Sequence, residues 1–250
     1  MRESIRRISV LTRRNLKEIL RDPLSLIFTI ALPLFLEILF YLIFHKMTAQ
    51  FEMRYLAPGI VGFAQAFLTL FAGLLISQDR NTAFLTRLYV SRARSHEFIF
   101  GYVAALLPIA FTQSILFFLV GGILEPQIFS VGMIWGVLIS LVTSLFYIGA
   151  GILVGSLANE KAVGGLSSIV ISGQSILSGM WFPADGLGKG ILIAMKTLPF
   201  KNATLLVQNA FLGVEKVTVD FLFPLLILLG YTVGVTVWAI LAFRKKMKGE

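Results

Sequence analysis

The chain has 250 residues, of which 57% are apolar and only 14% are charged, and its mean hydropathy is +0.86. Soluble globular domains are about 45–50% apolar and about 25% charged, so this composition excludes an ordinary soluble domain. The net charge of +9 does not indicate a nucleic-acid partner, because the basic residues stand in short clusters between long apolar runs instead of on one solvated patch.

Residues 4–21 predict an amphipathic helix ahead of the first long apolar run. Apolar and basic side chains fall on opposite halves of its helical wheel, and the basic half includes Arg13, Arg14, Lys17 and Arg21. Such a helix lies at the membrane surface with its basic face toward anionic lipid headgroups. We expect residues 1–23 to form this interfacial segment, which either only anchors the topology or also couples a cytoplasmic partner to the first span.

The rest of the chain, residues 24–250, is predicted to be an all-α transmembrane domain with six spans. An apolar helix of about 20 residues crosses the hydrocarbon core, which is about 30 Å thick. The segment between spans five and six is apolar but interrupted by Lys196, Pro199 and Lys201, which favours a re-entrant or interfacial helix pair. The predicted spans are Leu24–Phe44, Ala57–Ser77, Phe98–Val120, Met133–Leu157, Val163–Met180 and Phe221–Ala242.

The distribution of Lys and Arg predicts the orientation of these spans. With the N-terminus inside, residues 1–23, 78–97, 158–162 and 243–250 hold sixteen of the 22 Lys and Arg residues, and the outer segments hold six. Short cytoplasmic loops are enriched in these two residues. We therefore expect a multi-pass protein of the cell membrane whose N- and C-termini are both cytoplasmic.

The sequence contains no catalytic constellation. Its two histidines, His45 and His96, are predicted on opposite sides of the membrane, and the absence of cysteine excludes disulfides, thiolate catalysis and Cys-ligated metals. The phosphate-loop pattern Gly-x-x-x-x-Gly-Lys-Ser/Thr is missing. We expect no catalytic residue, cofactor or metal on this chain, so an intramembrane enzyme is the least favoured class.

Glu37 is the notable residue of the first predicted span, because it lies about 10 Å below the outer end of that helix. A carboxylate at this depth is costly unless it faces protein or water, and it marks a candidate functional site. The alternatives are a structural hydrogen bond to a neighbouring helix, or proximity to a wide outer vestibule. Gln65 and Gln174 also lie within spans, where they either line the same substrate path or join helices.

Two pairs of glycines at helical spacing, Gly151 with Gly155 and Gly230 with Gly234, predict close helix approach. In a protein with six spans, packing within the subunit is favoured over a dimer seam.

The loop after the second span, residues 78–97, is basic but also carries apolar residues at helical spacing. A short amphipathic helix of this kind is suited to docking into the groove of another protein. The alternative, a solvated loop that only sets the topology, does not need the apolar residues. The candidate contacts are Arg80, Phe84, Leu85, Arg87, Leu88, Arg92 and Arg94.

A series of short motifs runs through the chain in a fixed order. Arg21-Asp22-Pro23 precedes the first span, Pro33 lies within that span, and Asn159-Glu160-Lys161-Ala162 forms the loop after the fourth. The other motifs are Ala83-Phe84-Leu85-Thr86-Arg87-Leu88-Tyr89-Val90-Ser91-Arg92, Leu177-Ser178-Gly179-Met180-Trp181-Phe182-Pro183 and Leu198-Pro199-Phe200.

In this order the motifs resemble the permease subunit of the type-2 ABC exporter family over nearly the whole chain. The chain departs from the family pattern at Ala83, where glycine is usual, at Arg92, where proline is usual, and at Gln78-Asp79, where the usual acidic position is not sharply matched. These departures concern the shape of the loop that contains them.

The resemblance implies two permeases assembled as a homodimer with two copies of a separate ABC ATPase, which binds ATP and Mg²⁺. It also implies that residues 80–97 form the coupling helix seated in the ATPase, with further contacts from the N-terminal helix and from Glu160 and Lys161. Residues 181–206 would be the external re-entrant helices.

The predicted function is ATP-driven export of a hydrophobic or amphipathic substrate, such as a drug, antibiotic, peptide or lipid-like molecule. The largely apolar spans with few embedded charges favour a drug-like cargo. The alternative is an ion-coupled carrier or channel without an ATPase; such carriers often have internal repeats and more charges within the membrane.

Overall fold

The computed structural model describes residues 2–81, 95–181, 187–213 and 219–247. Within these ranges the chain forms nine α-helices, two short 3-10 helices and no strand, in agreement with the predicted all-α class. The 3-10 helices are Ala49–Phe51 and Pro126–Ile128. The α-helices are α1 (Arg2–Leu20), α2 (Pro23–Phe44), α3 (Met53–Asn81), α4 (Ser95–Leu124), α5 (Val131–Leu157), α6 (Glu160–Leu177), α7 (Lys189–Thr197), α8 (Pro199–Leu212) and α9 (Val219–Met247).

Four of the described helices, α3, α4, α5 and α9, are long and apolar enough to cross a membrane. The pair α7 and α8 is bent by 66° and gives a fifth candidate if it is counted as one span. In α2 the apolar stretch Thr29–Phe44 is shorter than a full span, and α6 carries several Ser and Gly residues and one Gln. The structure therefore supports a membrane protein, while the count of six spans stays a prediction.

The helices run between two ends of the bundle, which we call basal and distal. At the basal end, α1 contacts the last turn of α3 and the first turn of α4 through Arg14 and Arg7. At the distal end, the side chain of Gln50 donates to the carbonyls of Gly179 and Met180, which follow α6. The ring of Phe243 in α9 lies 5.8 Å from that of Phe98, so both ends of the described chain lie at the basal end.

Small residues bring α3 and α5 into backbone contact at the centre of the bundle. A Cβ atom on Gly151 would collide with the carbonyl oxygen of Thr69, and one on Gly155 with the carbonyl oxygen of Gly73. The first glycine pair therefore packs within the subunit, as predicted. The second pair on α9 differs, because a Cβ there would meet no atom of the described chain within 4 Å.

Prolines within two helices leave backbone carbonyls without their helical donors. Pro33 has no N–H, so the carbonyl of Thr29 loses its usual partner, and the Nε2 atom of Gln113 on α4 donates to it at 3.2 Å. In α9, Pro224 likewise frees the carbonyl of Asp220, which accepts a hydrogen bond from Asn209 at 3.3 Å. Side chains of neighbouring helices thus supply the donors that membrane-embedded backbone requires.

The outer surface of the bundle is apolar over much of its height. Leu226, Trp238 and Ile134 are each about 60% exposed, at 66%, 59% and 61%. Large exposed apolar side chains on long helices are what a lipid-facing surface requires, so this surface agrees with a position in the membrane.

Candidate functional site

The basal end holds a cluster of charged residues that ties α1 to the transmembrane helices. Asp79, near the C-terminus of α3, is only 2% exposed. Both terminal nitrogens of Arg14 donate to its carboxylate, and the hydroxyl of Tyr102 on α4 donates to the same group. One carboxylate therefore joins three helices.

A second buried acid holds the start of α1. Glu97 in the first turn of α4 is 1% exposed and accepts two hydrogen bonds from Arg7, each 2.9 Å long. The hydroxyl of Ser4 donates to it as well, at 2.6 Å. Paired hydrogen bonds of this fork-like geometry fix orientation as well as distance, so α1 is held at two points about two turns apart.

Both arginines stay charged in this environment. The hydrogen bond to Glu97 raises the pKa of Arg7 above its ordinary value. Burial by itself lowers the pKa of Arg14, but the hydrogen bond and the charge of Asp79 outweigh burial, so its pKa is also raised. Because folding raises both pKa values, the stabilisation from these charged pairs is fully present at neutral pH and is lost only at strongly alkaline pH. The arginines therefore do not titrate near neutral pH.

Arg80 caps the end of α5. Its Nη1 atom donates to the carbonyls of Gly155, Ser156 and Ala158 at 2.8–2.9 Å. These carbonyls belong to the helix terminus, where backbone acceptors lack helical donors and the helix dipole favours a cation. The side chain predicted to contact an ATPase thus links the end of α3 to the turn between α5 and α6.

The turn between α5 and α6 lies next to the end of α3. The side chain of Asn159 caps α6 by accepting from the N–H of Ala162 at 2.9 Å, and Gln78 donates to Glu160 at 3.4 Å. The side chains of Glu160 and Lys161 are exposed. We call the set Arg7, Arg14, Asp79, Arg80, Glu97 and Tyr102, with the turn 158–161, the basal junction.

Of the four basic residues predicted to lie at the membrane interface, the three apart from Arg14 are exposed. Arg13 and Lys17 on α1 and Arg21 just after it are exposed. Together with Val10, Arg14 and Glu18 they line a shallow groove of about 570 Å³. Part of the apolar face of α1 packs against protein instead of lipid, because Leu11 and Ile19 are buried. Arg14 likewise faces protein, since the buried charge of Asp79 requires a partner.

Gln65 and Gln174 take part in hydrogen bonds between helices. Gln65 donates to the carbonyl of Ser140 and accepts from Thr143, both at 2.6 Å. Gln174 accepts from Tyr147 at 2.6 Å and donates to Thr204 at 3.0 Å. These contacts agree with the helix-joining alternative, and a substrate path along the two residues stays a prediction.

Glu37 differs from the buried acids Asp79 and Glu97, because it is not paired with an arginine. It is 0% exposed, and neither oxygen of its carboxylate has a hydrogen-bond partner among the described residues. Three residues further along α2, the ring of Phe40 lies 4.4 Å from the ring of Trp181 and 5.6 Å from that of Phe51. An acid without a hydrogen-bond partner among the described residues therefore lies on the basal side of a cluster of aromatic rings.

The comparison with known families decides the class. A family model described as ABC-2 type transporter matches residues 6–212. The chain belongs to the ABC-2 type transporter family. It is the membrane subunit of an ABC transporter, a permease without ATPase motifs of its own that pairs with an ABC ATPase subunit. A search of curated proteins gives no significant match.

The match confirms the resemblance that the sequence motifs indicated. It extends from α1 to the last residue of α8, so it includes the whole basal junction and Glu37. Among the described residues of this ABC-2 permease, no group of three or more metal-binding side chains is present.

Several predicted coupling residues of the permease lie outside the described residues. These are Phe84, Leu85, Arg87, Leu88, Arg92 and Arg94, and their role stays a prediction. Arg80 lies at the edge of that segment, and the described chain resumes at Ser95, two residues before Glu97. The basal junction therefore includes both end residues of the predicted coupling segment, residues 80–97.

Sequence analysis missed the acids of the basal junction and the aromatic cluster. The sequence did contain one indication of the acids. The polar half of α1 carries many basic residues but few acidic ones, so acidic partners for these bases had to come from other helices. For the aromatic cluster, the signal was the spacing of Phe40 and Phe44 on the face of α2 that carries Glu37.

Proposed function

We propose that this ABC-2 permease is the membrane half of an ATP-driven exporter for a hydrophobic or amphipathic substrate. Two copies assemble with two copies of a separate ATPase, which binds ATP and Mg²⁺. The complex resides in the cell membrane with both termini of the permease in the cytoplasm. Export, rather than import, follows from the resemblance to type-2 ABC exporters.

The observation that carries this proposal is the basal junction. Asp79 and Arg80 are consecutive residues, yet the first binds α1 and α4 and the second binds the end of α5. A force applied to residues 80–97 by an ATPase would therefore reach four helices directly. A loop that only sets topology does not need these contacts.

The termini and the bent helix pair support the proposed topology. The basal end carries both ends of the described chain, and the predicted inside segments hold most of the Lys and Arg. The pair α7 and α8 follows Trp181 at the distal end, and its last turn also lies distally, where Phe211 stacks on Phe118 with ring centroids 5.4 Å apart. Because the chain enters α7 and leaves α8 at the same distal end, a re-entrant pair is favoured over a membrane span.

The proposal is tested by reversing charge at Arg87 and measuring recovery of the ATPase. Tagged permease is purified from its native membranes in mild detergent, and the ATPase that copurifies with it is identified and quantified by mass spectrometry. We expect Arg87→Glu to lower the recovered ATPase about tenfold, the effect of about 1.4 kcal/mol in binding. Lys189→Glu makes the same change on an exposed residue of α7, and we expect it to have no effect. Equal recovery with both variants contradicts the coupling role.

The alternative, an ion-coupled carrier or channel, has one observation in its favour, the buried and unpaired carboxylate of Glu37, but the family match over residues 6–212 argues against it. Membrane-embedded acids often belong to ion pathways. That function predicts transport driven by an ion gradient without ATP, so proteoliposomes that contain the permease alone distinguish the two.

A further inference from the structure

Glu37 is buried without a partner at membrane depth. Its carboxylate oxygens have no hydrogen-bond donor in the described chain, and the residue lies seven positions before the distal end of α2, about 10 Å along the helix. The acids at the basal end show the contrast, because Asp79 and Glu97 are equally buried but each is paired with an arginine.

An unpaired carboxylate in this setting is costly. Moving an ion out of water is repaid only by an opposite charge and by hydrogen bonds, and polar groups kept within membranes despite this cost generally serve function. The neighbouring residues of α2, Leu34, Leu36, Phe40 and Tyr41, pack against the apolar distal core. Glu37 is the one charged side chain that is fully buried at the distal end of the described chain, and it lacks a partner of opposite charge there.

The aromatic rings beside Glu37 form a compact group, which we call the distal aromatic cluster: Phe40, Phe44, Phe51, Phe63 and Trp181. Phe40 and Phe44 lie three and seven positions after Glu37, so all three share one face of α2. The ring of Phe40 lies 4.4 Å from Trp181, 5.6 Å from Phe51 and 5.6 Å from Phe44. Trp181 also meets the edge of Phe63 at 5.8 Å.

The cluster is held in place by hydrogen bonds from outside it. The amide of Gln50 donates to the carbonyls of Gly179 and Met180 at 2.8 and 2.6 Å, which fixes the turn after α6. Gly179 makes this turn with a φ of 73°, which favours glycine. The indole N–H of Trp181 donates to Ser175 at 3.1 Å. The indole face is thereby set against α2.

We propose that Glu37 and the distal aromatic cluster form the recognition site for a hydrophobic cation, a substrate with an apolar body and one positive charge. The carboxylate supplies the opposite charge, and aromatic faces attract a cation within about 6 Å of the ring centre. Apolar sites with a few well-placed polar groups are typical of small-molecule recognition. This inference rests on the proposed function, because it names the substrate class of the same transporter.

Binding requires the cluster to open. Glu37 is fully covered, whereas the rings of Phe40, Phe44, Phe51 and Trp181 are only partly buried. A cation therefore reaches the carboxylate when these rings move aside, and the rings then surround its apolar body.

Two ions of the same shape and opposite charge test the proposal. The complex of permease and ATPase is reconstituted in phosphatidylcholine nanodiscs, and binding of radiolabelled tetraphenylphosphonium is compared with that of tetraphenylborate. Empty nanodiscs give the background from partition into lipid. We expect saturable binding of the phosphonium and none of the borate.

Variants locate the binding at this site. We expect Glu37→Gln to weaken phosphonium binding at least about tenfold, and Glu37→Asp, which keeps the charge, to retain it within a few-fold. Trp181→Leu removes one aromatic face and is expected to weaken binding about three- to tenfold. Trp238→Leu on α9, at a tryptophan that is 59% exposed, is the matched control and is expected to bind normally.

The proposal is overturned if tetraphenylphosphonium binds no better than to empty nanodiscs, or if Glu37→Gln binds it as the unchanged protein does. Glu37→Leu serves as a second variant should the glutamine not be accommodated. Basal ATP hydrolysis, measured without the probe, separates the two claims. A complex that hydrolyses ATP but does not bind the phosphonium contradicts this inference alone, whereas a permease that recruits no ATPase contradicts the proposed function.

Discussion

Asp79 shows how much of this permease depends on a single side chain. Its carboxylate receives both terminal nitrogens of Arg14 and the hydroxyl of Tyr102, and it is 2% exposed. Removing one partner of a buried ion pair leaves the other charge uncompensated, which costs more than the pair itself contributes. The pairing therefore fixes α1 against α3 and α4.

We expect Asp79→Ala to destabilise the protein by about 2–3 kcal/mol, near the low end for a buried pair because the side chain of Arg14 is 28% exposed. This change lowers the midpoint of thermal unfolding by about 5–10 °C, measured by tryptophan fluorescence in detergent.

Glu18→Ala is the control for Asp79. It removes an acid 2.6 Å from the same arginine, but the side chain of Glu18 is 45% exposed, so we expect less than about 1 kcal/mol. Similar midpoints for the two variants contradict the structural role of Asp79.

At the scale of helices, two glycine pairs with the same spacing have different surroundings. Gly151 and Gly155 let α5 lie directly on the backbone of α3, whereas the pair Gly230 and Gly234 on α9 meets no described atom within 4 Å of an added Cβ. The sequence pattern is the same in both helices, so only the packing distinguishes them.

We expect Gly151→Ala to destabilise the protein by about 1–3 kcal/mol, because the new methyl group collides with the carbonyl oxygen of Thr69. Gly230→Ala is the matched control, and its thermal midpoint should be unchanged or slightly higher, since alanine favours a helix over glycine by about 1 kcal/mol. Equal loss in both variants, or loss only at Gly230, contradicts the packing of α5 on α3.

The sequence predicted the long apolar helices well and their side-chain pairings poorly. The predicted spans Ala57–Ser77 and Phe98–Val120 lie inside α3 and α4, which continue further at both ends. Hydropathy detects the apolar middle of a helix, whereas the polar turns at its ends, such as those with Asp79 and Glu97, do not stand out.

Partners of buried polar groups depend on tertiary placement. Arg14 and Asp79 are 65 positions apart and Gln50 and Met180 are 130 apart, so periodicity along one helix does not reveal either contact. Glu37 was identified from the sequence because a single charge within an apolar run is visible there. Its lack of a partner became apparent only in the structure.

For the molecule as a whole, the central claim is that this ABC-2 permease works as part of an ATP-driven complex. The basal junction, the apolar outer surface and the family match over residues 6–212 all agree with a membrane subunit that receives force at its basal end. The proposed assembly contains two permeases and two ATPases.

The most direct test is native mass spectrometry of the complex purified from its native membranes in mild detergent. We predict a particle of two permease and two ATPase chains that hydrolyses ATP. An intact permease that is isolated repeatedly without any ATPase contradicts the claim.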